Sequence, residues 1–193
     1  MIKDLAVRSR SYRRFYENES ISYDKLKELV EIARYVPSTV NSQPLKFMLV
    51  NDADGNERVF STLAWAGLLK EWHGPEKGER PSAYIVILGD LSVGKNKHLD
   101  VGITAQTMML GAADMGYGGC MFGSIQREKL ASLFDIDTEK YSIELVLALG
   151  KPKEDVRVVD LPESGSTAYY RDENGVHYVP KRSVDELIFE CNQ

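Results

Sequence analysis

Residues 37–44 read Pro-Ser-Thr-Val-Asn-Ser-Gln-Pro, and the reading of the whole chain turns on them. Two prolines bracket the hydroxyl and amide side chains of Ser38, Thr39, Asn41, Ser42 and Gln43. Proline fixes its own φ and pushes the preceding residue toward extended backbone, so the octet reads as an open connector and not as helix. Upstream, Ser22 is an N-cap candidate, and Leu26, Leu29, Val30, Ala33 and Val36 recur at helical spacing until Pro37 stops the run. Downstream, LKFMLV (45–50) reads as a strand. Taken alone, such a Ser- and Asn-rich connector is a turn. The same hydroxyls, carboxamides and backbone N–H groups also suit a planar polar ligand.

The remaining elements follow the same logic. A turn is expected at Asp52-Ala-Asp-Gly and a short helix over 56–63. AYIVILG (83–89) and SIELVLALG (142–150) are continuous apolar runs of strand length, and a helix is expected near 126–134. Leu99 to Met115 is the most apolar helix candidate, with no charge between Val101 and Ala113. A helix apolar all round is buried on all sides, in a core or between subunits. From Lys151 onward the chain turns polar, with a last short element beginning at Ser183. Alternating helices and short strands predict an α+β or α/β layered fold around a sheet of about four strands.

Composition narrows the function classes. The 193 residues fit one compact domain, and 43% apolar with 27% charged residues is ordinary for a globular chain. A net charge of −5 argues against a nucleic-acid surface or a basic membrane anchor. The N-terminus carries Lys3, Arg8, Arg10, Arg13 and Arg14 with no apolar run, so no signal peptide is expected. Cys120 and Cys191 lie far apart without CxxC spacing, which fits a reducing, cytoplasmic location better than a disulfide framework. His73, His98 and His177 form no metal-ligand spacing.

Three segments carry candidate chemistry. RSRSYRRF (8–15) sets four arginines beside Ser9 and Ser11, a pattern that suits a phosphate or a solvated basic terminus. VPKR (179–182) adds Lys181 and Arg182 behind a stiffening proline, and two distant basic clusters can converge on one anion. GYGGCMFGS (116–124) has GxGGxxxG spacing after a helix, so it is not a dinucleotide fingerprint. It reads as a helix C-cap at Gly116 followed by a flexible, sterically open loop, in which Cys120 is a small packing residue. WAGLLKEWHGPEKGERP (65–81), with its two tryptophans, is either a lid or a long loop anchored to the core by aromatics; Trp65, Trp72 or Tyr84 would narrow access.

In this order, SRSYRRF (9–15), ARYVPSTVNSQPLKF (33–47), GITAQTMMLGAADMGYGG (102–119), LVLALGKPKE (145–154) and YVPKR (178–182) resemble the nitroreductase family of flavin mononucleotide (FMN) oxidoreductases. The segment around 71–87 resembles a subgroup whose physiological substrate is generally unassigned. The resemblance implies an α+β, three-layer fold: a central, mostly antiparallel sheet flanked by helices, in an entwined homodimer with FMN sites at the interface. It implies a single FMN-binding domain over 1–193, in which 65–81 is the lid candidate and 151–193 a C-terminal extension. Ser9, Arg10 and Ser11, with Lys181 and Arg182, would hold the ribityl phosphate, and Arg13 would lie near the N1/O2 side of the flavin. Pro37, Ser38, Thr39 and Asn41 would line the ring and ribityl chain from the other subunit. Cys120, Met121, Phe122 and Gly123 would run under the ring, with a backbone N–H of Phe122 or Gly123 near N5.

Two departures from the family pattern stand out. Ser9 occupies a position where arginine is common, and Leu45 one where an aromatic often follows the proline. The implied activity is hydride uptake from NAD(P)H and ping-pong delivery to nitroaromatics, quinones or similar acceptors. The alternatives are dehalogenation, azoline oxidation or flavin fragmentation on the same fold, or a non-enzymatic FMN-binding module.

Overall fold

The computed structural model describes residues 1–69, 71–93 and 97–189. Cys191 therefore lies outside the described residues, as does Lys70 within the 65–81 segment. In chain order the elements are α1 (Ile2–Arg8), β1 (Phe15–Tyr16), α2 (Tyr23–Arg34), β2 (Leu45–Val50), α3 (Ala53–Phe60), β3 (Ala83–Asp90), α4 (His98–Asp114), β4 (Gly118–Phe122), α5 (Arg127–Leu133), β5 (Tyr141–Pro152), β6 (Val156–Asp160), β7 (Tyr170–Arg171), β8 (His177–Lys181) and α6 (Val184–Leu187).

The main sheet is five-stranded and antiparallel throughout. It runs β1-β5-β3-β2, with β4 also paired to β5. β3 is buried along nearly its whole length, as a strand covered on both faces must be. Its alternation sorts the core into two halves. Ile85 and Ile87 face α2 and α4, with Leu26, Leu29, Ala105, Met108, Leu147 and Leu149. Tyr84, Val86 and Leu88 face the other way, toward Val59 of α3 and Leu130 of α5, with Phe122, Val146 and Ala148. Helices on both faces of one sheet give three layers, so the α+β fold expected from the resemblance is the one observed.

Local chemistry sets the boundaries. The Ser22 hydroxyl accepts from Lys25 N at 3.3 Å and starts α2, as expected. Asp52 does the same for α3, accepting from Gly55 N at 2.8 Å, so that helix begins at Ala53 and ends at Phe60, three residues before the stretch expected. The Asp-Ala-Asp-Gly string looks like a turn, but the cap converts it into a helical first turn. α4 ends at a left-handed Gly116 (φ 79°) with Tyr117 N bonded to Ala112 O at 2.8 Å and Gly116 N to Ala113 O at 3.2 Å, a Schellman arrangement.

Two expectations need correction. GYGGCMFGS is not an open loop after Gly116: Gly118–Phe122 is strand β4, in register with Gly150–Val146 of β5. The two glycines of β4, Gly118 and Gly119, mark close approach instead of openness. A Cβ on Gly118 would come within 2.5 Å of the Tyr12 ring, and one on Gly119 would strike the Ala148 carbonyl oxygen and sit 2.9 Å from Leu149 Cδ2. Second, α4 is not covered all round within one chain. Ala105, Met108 and Ala112 are buried, but Leu99 is 70% and Ile103 42% exposed.

The polar tail from Lys151 carries regular structure of its own. β6 runs parallel to β8, and β7 lies antiparallel on its other side, forming a second, three-stranded sheet. The 65–81 segment is tied down at both ends. Trp65 packs against Phe122 (ring centroids 4.5 Å), Phe60 and Trp72. Glu79 accepts a two-nitrogen fork from Arg14 at 2.5 and 2.6 Å and pairs with Lys153 at 2.9 Å.

The Arg14 hydrogen bonds, aided by Lys153, pull the Glu79 carboxyl down to about 2, against the opposing pull of burial. A depressed carboxylate gives stability that is complete above its unfolded value and is lost as pH falls through the folded one. Glu79→Gln is therefore expected to lower the thermal midpoint at neutral pH. The gap to wild type is expected to narrow between about pH 4.5 and pH 2 in a pH series of melts. Gly119→Ala is expected to cost about 1–3 kcal/mol by denaturant titration, because the added methyl meets backbone that cannot move aside.

Candidate functional site

A cleft of about 250 Å³ lies between the N-terminal segment and the C-terminal sheet, lined by Ser9, Arg10, Ser11, Arg13, Tyr169, His177, Val179 and Lys181. Four elements build it. α1 ends at Arg8, and Ser9 closes it by donating its N–H to Leu5 O at 2.8 Å. The chain then runs beside β4: Ser11 bridges Gly119, and Tyr12 N donates to Gly119 O at 2.9 Å. β8 supplies His177, Val179 and Lys181, and the residue before β7 supplies Tyr169. Arg10 donates through Nη2 to Ala6 O at 2.5 Å, while its buried Nε has no acceptor among the described residues.

Arg13 is the centre of this arrangement, 8% exposed. Its backbone N–H donates to Glu154 Oε2 at 2.9 Å. Its Nη1 donates to Ser11 O at 3.3 Å and lies 3.2 Å from His177 Nε2. The guanidinium carbon sits 4.5 Å from the centroid of the Tyr169 ring. The other oxygen of Glu154 is occupied by Arg171, whose Nε and Nη2 donate at 3.0 and 2.5 Å. Arg171 in turn lies 4.3 Å over the Trp72 ring. Burial pushes the His177 imidazole down to about 4; Glu154 opposes this, and Arg13 and Arg171 add to it. The ring is therefore neutral at neutral pH, and because arginine only donates, Nε2 is the acceptor.

Of the residues singled out from sequence, Ser9, Arg10, Ser11, Arg13 and Lys181 meet at this cleft. Arg182 does not line it; its Nη1 faces Glu186 at 3.5 Å. Cys120 does not line the cleft; it is buried in the core half that faces α3 and α5, with its thiol pushed up by burial against the opposing influence of Arg13 and Ser11. Phe122 is buried beside Trp65, whereas Met121 and Gly123 reach solvent, as strand alternation requires. Tyr84 does not border the cleft: it is wholly buried in β3, facing α3.

Pro37, Ser38, Thr39 and Asn41 are not brought to the cleft within one chain. Thr39 is fastened to α4, its N–H and hydroxyl donating to Asp100 Oδ1 at 2.8 and 3.2 Å. Val40, Asn41 and Gln43 adopt φ of 48°, 55° and 48°, in the left-handed region, and Val40 is 94% exposed. A β-branched residue held there is strained, and such strain collects at functional loops. Sequence reasoning missed Glu154, Tyr169, Arg171 and His177, since each is a single polar residue in a polar stretch. Among the described residues no helix is long and apolar enough to cross a membrane.

Comparison with known proteins agrees with this geometry. The profile of the Nitroreductase family matches residues 7–151. "Putative NAD(P)H nitroreductase YdgI" of Bacillus subtilis (strain 168) is 26% identical over 175 residues, covering 74% of this chain and 84% of that protein. A crystal structure of "a putative nitroreductase in complex with fmn" from Desulfovibrio desulfuricans superposes with a TM-score of 0.71 at 21% identity, covering 100% of this chain and 97% of that one. A nitroreductase family protein from Clostridium difficile 630 gives 0.68 at 17% identity, with 100% and 99% covered. With three quarters of its length matched by the family profile and the fold shared end to end, the chain belongs to the Nitroreductase family.

Proposed function

We propose that the chain is an FMN-dependent oxidoreductase that draws on NAD(P)H and reduces nitroaromatic, quinone or similar small acceptors. The observation that carries this reading is the cleft around Arg13. It gathers three cationic side chains, Arg10, Arg13 and Lys181, and the hydroxyls of Ser9 and Ser11 in a protein of net charge −5. Arg10 Nε is a buried donor without an acceptor among the described residues, and a phosphate oxygen would satisfy it. The residues present fit a phosphorylated flavin.

When bound, FMN would supply the two-electron redox chemistry that links NAD(P)H to the acceptor. The protein binds and orients. Ser9, Arg10, Ser11 and Lys181 would hold the phosphate, joined by Arg182 once it is released from Glu186. Arg13 would supply positive charge to the flavin edge on which negative charge develops on reduction. Cys120, Met121 and Phe122 of β4, a strand locked against β5, and Gly123 just beyond it would offer backbone N–H groups to the ring.

At about 250 Å³ the cleft accommodates the phosphate end of the ligand, and the ring needs further walls. We assign those walls to Pro37, Ser38, Thr39 and Asn41 of a second copy. The strained, exposed Val40 turn and the apolar flank of α4 at Leu99 and Ile103 support a homodimer that covers both. The 65–81 segment serves as an anchored strap beside the site, within one FMN-binding unit that includes the tail from Lys151. We place the protein in the cytoplasm, where the buried Cys120 thiol stays reduced.

Arg10→Ala combined with Lys181→Ala removes two of the cations at the phosphate position. The double variant is expected to weaken FMN binding at least about tenfold in a fluorescence titration of the apoprotein, with the thermal midpoint little changed. Retention of stoichiometric flavin by the double variant would contradict the phosphate assignment.

A further inference from the structure

From the contacts of Arg13 we infer that His177 and Glu154 are positioning residues, which aim the Arg13 guanidinium into the cleft while leaving its charge uncompensated. The inference rests on the reading that this cleft takes FMN.

The buried cluster holds two guanidinium groups, Arg13 and Arg171, and one carboxylate, Glu154, whose side chain is wholly buried. That carboxylate is already used. Oε1 takes both nitrogens of Arg171, and Oε2 takes the backbone N–H of Arg13, not its side chain. Among the described residues the Arg13 side chain touches only neutral groups: the Ser11 carbonyl, the His177 Nε2 lone pair and the face of the Tyr169 ring. Each of these fixes the direction of the guanidinium, and none cancels its charge. Desolvating a cation without a counter-ion is costly, and the arrangement makes sense when the ligand provides the anion.

The tautomer follows from the same contacts. With Nε2 accepting from Arg13, the ring proton resides on Nδ1, which points toward Glu154 Oε1 at 3.9 Å and has no hydrogen-bond partner among the described residues. Glu154 thus faces both sides of the pair, holding the Arg13 backbone from one oxygen and lying beside the Nδ1–H edge with the other. Tyr169 packs on the imidazole at 5.2 Å between ring centroids and closes the stack over Arg13. A carboxylate placed directly against the Arg13 guanidinium would orient it equally well but would neutralise the charge a reduced flavin needs. The imidazole does the orienting without that loss.

The test is a double-mutant cycle between His177→Phe, which keeps a ring for Tyr169 to pack on but removes both nitrogens, and Arg13→Gln, read by the FMN dissociation constant and the midpoint potential of the bound flavin. His177→Phe is expected to weaken FMN binding about tenfold and to shift the potential negative, with His177→Gln, whose carboxamide oxygen can accept from Arg13, recovering most of both. In the Arg13→Gln background the same change is expected to do nothing further. Unchanged binding and potential in His177→Phe, or an equal loss in both backgrounds, would overturn the positioning role while the FMN reading stands. Wild type that takes up no flavin would instead remove the FMN reading itself, and this inference with it. Nitrogen NMR of the wild-type histidines supplies a check independent of variant folding: a neutral His177 protonated on Nδ1 supports the assignment, and the Nε2–H tautomer contradicts it.

Discussion

The carboxylate of Glu154 is the contact on which the cleft depends. A wholly buried carboxylate must be matched, and this one is matched from two separate parts of the chain, by the Arg13 backbone near the N-terminus and by Arg171 of the C-terminal sheet. Glu154 itself follows β5, the strand that pairs with β1, β3 and β4. One side chain therefore joins the main sheet, the N-terminal basic segment and the second sheet at a single point. Arg171 extends the junction to Trp72, so the 65–81 strap is fastened to it as well. Loss of one partner would leave a charge buried without its match, which is far more damaging than loss of a surface pair.

The five-stranded sheet makes this junction rigid. β3 and β5 are covered on both faces, so their registers are fixed by two packed layers at once. Gly118 and Gly119 let β4 lie close to β5 and let Tyr12 cross above it, bringing the 9–13 segment down beside β4. The basic side chains are thereby presented from a packed surface, and their positions are set by strands instead of by a mobile terminus. Rigid placement matters for an electrostatic role, because a charge that need not reorganise acts at full strength.

Much of this was legible in the sequence. The apolar runs of β2, β3 and β5 and the capped helix α2 announce themselves by period and by Ser22. The basic residues of 9–13 and Lys181 stand out against an acidic composition, and the order of the motifs carried the family resemblance. The misreadings have physical causes. Glycine marks both open turns and crowded strands, and only three-dimensional contacts separate the two, which is why β4 read as a loop. The parallel pairing of β6 with β8 joins stretches some twenty residues apart, so nothing local predicts it, and with it went His177, Arg171 and Glu154. The apolar composition of α4 called for cover on every side, and within one chain Leu99 and Ile103 stay exposed, because composition does not say which flank a fold leaves open.

The central claim is that this cleft holds FMN and that the bound flavin is reduced by a nicotinamide. The most direct measurement is the visible absorbance of the protein after incubation with FMN, followed without oxygen as NADPH and then NADH are added. The account predicts stoichiometric flavin bands that bleach with at least one nicotinamide and return when an acceptor such as a quinone is supplied. Absence of flavin uptake, or uptake with no bleaching by either nicotinamide, would contradict it.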